Sequence, residues 1–160
     1  MKFTTISKIT QARRLPLPVF LALAVSSCAG APSVPPPASP EATVRGFLNA
    51  VKANSLVAMG ELWGTNDGPA SKRMKPDVLH QRLTVIKAYL EHEKFQVVPR
   101  GGMTQQLSVA PGERVVYVQL TRKGCAPVVP FTLTQYKGGW LIRSIDLEAG
   151  GNPIRRCPVG

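Results

Sequence analysis

Apolar and polar positions along the chain change rhythm once, near residue 95. Before it, Val44, Phe47, Leu48 and Val51 recur at helical spacing, with Arg45, Asn49 and Lys52 on the opposite side. Ser39-Pro40-Glu41 gives that helix its start, with serine as N-cap, proline at the first helical position and an acid in the first turn. Asn54-Ser55 marks a turn, and Leu56, Met59, Leu62 and Trp63 predict a second, short helix. Residues 64–71, rich in Gly, Asn, Asp and Pro, read as a loop. Pro76-Asp77 opens a third helix whose apolar face is Leu79, Leu83, Ile86 and Leu90, flanked by Val78, Val85 and Tyr89.

After residue 95 the period shortens to two. Phe95–Pro99, Met103–Val109, Glu113–Arg122, Val128–Lys137 and Trp140–Glu148 predict strands, separated by Gly101-Gly102, Pro111-Gly112, Lys123-Gly124 and Gly138-Gly139. Connections this short demand antiparallel pairing, because a parallel crossover needs a dozen or more residues. Phe131 and Leu133 alternate with Thr132 and Thr134, whereas the last strand, with Trp140, Leu141, Ile142, Ile145 and Leu147, is partly apolar on both faces. Helices first and a meander second imply α+β, with N-terminal helices packed on a curved antiparallel sheet.

The Ser39–Ala50 opening, the short helix ending in Leu62-Trp63 and the late Gly138-Gly139-Trp140-Leu141-Ile142 strand resemble the nuclear-transport-factor-2-like superfamily. That resemblance spans residues 39–148 and implies a cone-shaped α+β fold; a cystatin-like helix-on-sheet arrangement is the close alternative. Enzymes of that superfamily hold an acid or histidine in the mouth of the cone.

Ahead of the folded region stand Lys2, Lys8, Arg13 and Arg14 with no acid among them, an apolar run from Leu15 to Val25, and then Ser26 and Ser27 before Cys28. These are the parts of a secretory signal. The run is about half the ~20 residues a spanning helix needs. Val25-Ser26-Ser27-Cys28 resembles the lipobox of bacterial lipoproteins, which implies cleavage before Cys28 and lipidation of its thiol. Ala29-Gly30, in place of aspartate, implies by the same resemblance the outer membrane, facing the periplasm. The expected organisation is a signal peptide over 1–27, the lipidated cysteine with a proline-rich tether over 28–40, and one domain over 41–160.

The export segment changes two other readings. It holds four of the twenty Lys/Arg and none of the nine Asp/Glu, so the formal +11 falls to +7. The basic residues left are scattered rather than interleaved with aromatics, and export argues against nucleic acid; such a surface favours anionic partners, but solvated lysines and arginines with no specific anion site are the expected reading. Lipidation of Cys28 leaves Cys125 and Cys157 as the internal pair, and an oxidising compartment predicts a disulfide between them that pins the tail after Gly150.

Candidate chemistry is sparse. His80 and His92 fall on the third helix, off its apolar face, as exposed histidines. Asp67 in the loop and Asp146 at the end of the last strand are the carboxylates that could enter a cone mouth as a base. Ser108 and Ser144 have no base beside them, and no zinc spacing, phosphate-cradling loop or cofactor signature is present. Trp63, Tyr117, Phe131 and Trp140, with Asp67 and Asp146, are candidates for a pocket lining, with plain core as the more frequent reading of aromatics at these spacings. The pattern predicts a non-catalytic, lipid-anchored envelope protein that binds a partner protein or small hydrophobic ligand near the membrane. An isomerase- or dehydratase-type enzyme is the alternative.

Overall fold

The computed structural model describes residues 35–99 and 109–152. Helix α1 (Pro40–Lys52) starts as its sequence directs: Ser39 Oγ accepts from Ala42 N at 3.1 Å, with Pro40 in the first turn. It buries Val44, Phe47, Leu48 and Val51, and ends where Asn54 takes φ 55°, a left-handed conformation asparagine tolerates. Ser55 Oγ then caps α2 (Leu56–Leu62) by accepting from Ala58 N at 3.3 Å.

Residues 64–71 hold more structure than a loop. Strands β1 (Gly64–Thr65) and β2 (Gly68–Pro69) pair antiparallel around Asn66-Asp67, and α3 (Ala70–Arg73) follows. Trp63 O accepts from Ala70 N at 2.7 Å and closes the unit. Gly64 has no room for a side chain, since a Cβ there would lie 2.3 Å from Gly68 O. Helix α4 (Pro76–Tyr89) buries Leu83 and Ile86 and leaves Val78 and Val85 exposed.

Strands β3 (Lys94–Val98), β4 (Glu113–Thr121), β5 (Val128–Tyr136) and β6 (Gly139–Ile145) form one antiparallel sheet in chain order. The predicted strand over Met103–Val109 lies outside the described residues except for Val109. The helices pack on the face of the sheet that carries Val116, Val118, Val129, Phe131 and Leu133.

The expected cone is corrected here. The architecture is α+β with N-terminal helices and an antiparallel sheet, but the sheet is open, with β3 and β6 as its edges, and does not curl closed. The outer side of β6 is already occupied. Trp140 N donates to Pro37 O at 3.0 Å, and Trp63 bridges Ile142 in parallel. Those contacts cap the edge with chain from outside the sheet, which leaves β6 less able to recruit another strand.

The two-faced apolar pattern of the last strand has a local cause. The register between β5 and β6 shifts at Thr132/Leu133, so Leu133 pairs with Ile142 while Phe131 pairs with Ile145. Ile142 and Ile145, three residues apart, therefore both reach the core side, which strict alternation forbids. Leu141, opposite Thr134, is fully buried.

The tail is held by a buried cation. Arg122, 9% exposed, donates to the carbonyls of Tyr89 and Gly150, and to Gly151 O at 3.2 Å. The end of α4 and the start of the tail thus share one guanidinium. The expected Cys125–Cys157 disulfide is visible at one end only: Cys125 is disulfide-bonded and is the one cysteine among the described residues. Cys157 and Cys28 lie outside them. The anchorage visible at Gly150-Gly151 is made by Arg122.

Candidate functional site

The aromatic residues expected to line one pocket do not converge. Phe131 is fully buried in the core, with Trp63 and Trp140 packed partly exposed at its margin. Tyr117 pairs with Pro130 and faces the other side of the sheet, where it borders a hollow of about 400 Å³ with Val98, Val115 and Glu113. Among the described residues, Val44, Phe47, Leu83, Phe131, Leu133 and Ile142 pack together between the helices and the sheet.

The two candidate carboxylates sit at turns. Asp67 is exposed between β1 and β2, where its backbone N donates to Thr65 Oγ1 at 3.2 Å. Asp146 is exposed too, and its Oδ1 accepts from Ala149 N at 3.0 Å. A regular β6 would place Asp146 on the face of Trp140 and Ile142. The bulge and the end of the strand at Ile145 put it into a turn instead. Ser144 is exposed and pairs with Thr132; Ser108 lies outside the described residues.

The buried carboxylate is Glu113, 7% exposed, which the sequence reading left inside a strand. Its Oε1 is ion-paired with Arg143, and its Oε2 accepts from Ala110 N at 3.2 Å. Arg143 is the residue displaced at the bulge, which the sequence alone does not mark. Both carboxylate oxygens being engaged, this group ties β4 to β6 across β5.

The histidines divide. His80 is exposed on α4, as expected. His92 is not an exposed helical residue: α4 ends at Tyr89, and the ring is 9% exposed in the corner leading to β3. Its Nδ1 lies 2.8 Å from Leu90 O, its edge meets Phe95 with centroids 5.4 Å apart, and Nε2 is buried without a hydrogen-bond partner. The adjacent hollow is bordered by Lys52 and Lys87, whose ammonium groups donate to Glu93 O at 3.2 Å and Asn54 Oδ1 at 3.0 Å. Among the described residues no three His, Cys, Asp or Glu side chains gather closely enough to hold a metal ion.

An open groove between Trp63 and α4 differs from these. About 360 Å³ in volume, it is lined by Trp63, Gln81, Arg82, Val85 and Ile86. Val85 is 53% exposed beside it, and Val78, about two turns earlier, is 39% exposed. Lys75, Val78, Arg82 and Val85 fall within about 80° of one another on a helix of 3.6 residues per turn. Nothing in the core requires this face to be apolar.

A second feature lies where the N-terminal segment meets the fold. Pro36 crosses directly over Gly139, where a Cβ would come within 2.5 Å of Pro36 O. Pro35, Pro36 and Pro37 border a hollow of about 280 Å³ with Leu62, Lys72 and Tyr136. Thr43 Oγ1, fully buried, lies 3.0 Å from Ser39 O and 3.2 Å from Trp140 O, so its one proton serves both. Part of the predicted tether is therefore seated on the domain.

No family model, curated protein or solved structure matches the chain. No helix among the described residues is long and apolar enough to cross a membrane.

Proposed function

We propose that this chain is a lipid-anchored protein of the bacterial envelope, held at the outer membrane, whose domain is a non-catalytic binding module. The observation that carries the reading is Val25-Ser26-Ser27-Cys28 at the end of an export segment, leading through prolines to a domain edge on which Pro36 and Pro37 are seated. Two or more acyl chains give stable attachment where one does not. Binding through a surface accords with a packed interior and with the exposed Trp63–Val85 groove. Binding at the α4 face is favoured over a small hydrophobic ligand inside the domain, because Phe47, Phe131, Leu133 and Ile142 occupy the space between helices and sheet.

Growth with labelled palmitate followed by membrane fractionation tests the anchor. Label should enter the wild-type chain, and Cys28→Ala should abolish both the label and membrane association. A Cys28→Ala chain that stays on the membrane as before overturns the proposal.

A further inference from the structure

We infer that the Lys75–Val78–Arg82–Val85 stripe of α4 docks on the anionic phospholipid surface beside the anchor. The inference rests on the lipid anchor proposed above and names the partner of the same face. Its first support is charge. The stripe alternates cations with exposed valines and includes no carboxylate, and exposed Lys72 and Arg73 stand just before it in the chain, on α3. Asp77 lies on α4 but about 120° from the centre of the stripe at 3.6 residues per turn. Glu61, the other nearby acid, lines the hollow with Lys72 rather than the groove. None of Lys72, Arg73, Lys75 and Arg82 is ion-paired among the described residues. Cations beside exposed apolar residues, with a tryptophan at the groove, suit the boundary between headgroups and acyl chains.

The second support is the length of chain to the lipid. Pro35 borders the same hollow as Lys72, so the fold receives the N-terminal segment next to the start of this basic region. Pro35 is seven residue steps beyond Cys28. Fully extended, they span at most about 25 Å. A tether of the full twelve residues after Cys28 would let the domain drift well beyond the headgroups. Seating Pro36 and Pro37 on β6 shortens that reach and keeps Lys72 and its neighbours close to the bilayer. Attraction by an anionic surface extends only about a Debye length, ~8 Å at physiological salt, so this closeness decides whether the cations feel the lipid.

The mature lipidated protein, reconstituted in vesicles of neutral phosphatidylcholine or of phosphatidylcholine with about a third phosphatidylglycerol, tests this. A water-soluble lysine-acetylating reagent, read by peptide mass spectrometry, should modify Lys72 and Lys75 about threefold or more slowly on anionic vesicles. Lys52, at the end of α1, and Lys94, at the start of β3, should react equally on both. The difference should vanish near 1 M salt, where the Debye length is about 3 Å. Equal modification of Lys72 and Lys75 on the two vesicles overturns the inference and leaves the anchor standing. Protection that ignores lipid charge and rises with protein density assigns the face to a second copy of the chain, and also overturns it. A protein that floats with neither vesicle has no anchor, and both readings fall.

Discussion

Arg122 decides more about this domain than any residue the sequence singles out. Burial pushes its guanidinium below the ordinary arginine value, with the charge of Glu91 acting in the opposite sense. For a base whose folded value is lowered, the unfolded chain binds more protons in the interval between the two values, so stability rises with pH there. That interval lies in strongly alkaline solution, and below it the group is charged in both states; Arg122 should add no pH dependence near neutrality. Its role is the three carbonyls it serves, on Tyr89, Gly150 and Gly151. Hydrogen bonds from a charged donor are worth about 1.5–3 kcal/mol each, less the cost of burying the charge. Arg122→Met should therefore lower stability by about 2 kcal/mol in chemical denaturation, and open the chain after Leu147 to proteolysis. Unchanged stability with an equally protected tail would show that something else holds Gly150.

Among the elements, the junction of the proline segment with β6 carries the most consequence. Lys137 and Gly138, with φ 46° and 78°, turn the hairpin in the left-handed region, as a two-residue loop between right-twisted strands prefers. Gly139 serves a different need: Pro36 passes where its Cβ would be, leaving 2.7 Å to Pro36 Cγ. Gly139→Ala should cost about 1–3 kcal/mol, the usual range for overpacking. It should also free the amide of Trp140, which now donates to Pro37 O, to exchange with solvent. Retained protection at Trp140 with normal stability would mean that the prolines are not seated there. The sequence foretold the helices well, because Val44, Phe47 and Leu48, or Leu79, Leu83 and Ile86, repeat at helical spacing for two turns or more. It misjudged β6, because a bulge moves Ile145 to the face of Ile142, and alternation alone cannot reveal where a register shifts. His92 was misplaced for a related reason: a helix ending without glycine or proline leaves no mark between Tyr89 and His92.

For the molecule as a whole, the sequence and the structure speak to different questions. The proposed export segment and Cys28 concern location, and that reading rests on residues contiguous in the chain. The open sheet was not legible in the sequence, since closure depends on whether edge strands meet, and here Pro37 and Trp63 occupy β6 instead. The candidate site was illegible for the same reason. Trp63 and Val85 lie on separate elements and become neighbours only through packing, while Asp67 and Asp146, prominent in the sequence, end at turns. The proline segment joins location to fold: it follows Cys28 in the chain and rests on the sheet through Pro36 and Pro37. The central claim is therefore the modification at Cys28. Intact-mass spectrometry of the protein extracted from membranes should find a chain beginning at Cys28, heavier than residues 28–160 by a diacylglycerol group, with or without a further acyl chain on its amine. An unmodified chain, or one that still carries residues before Cys28, would contradict it.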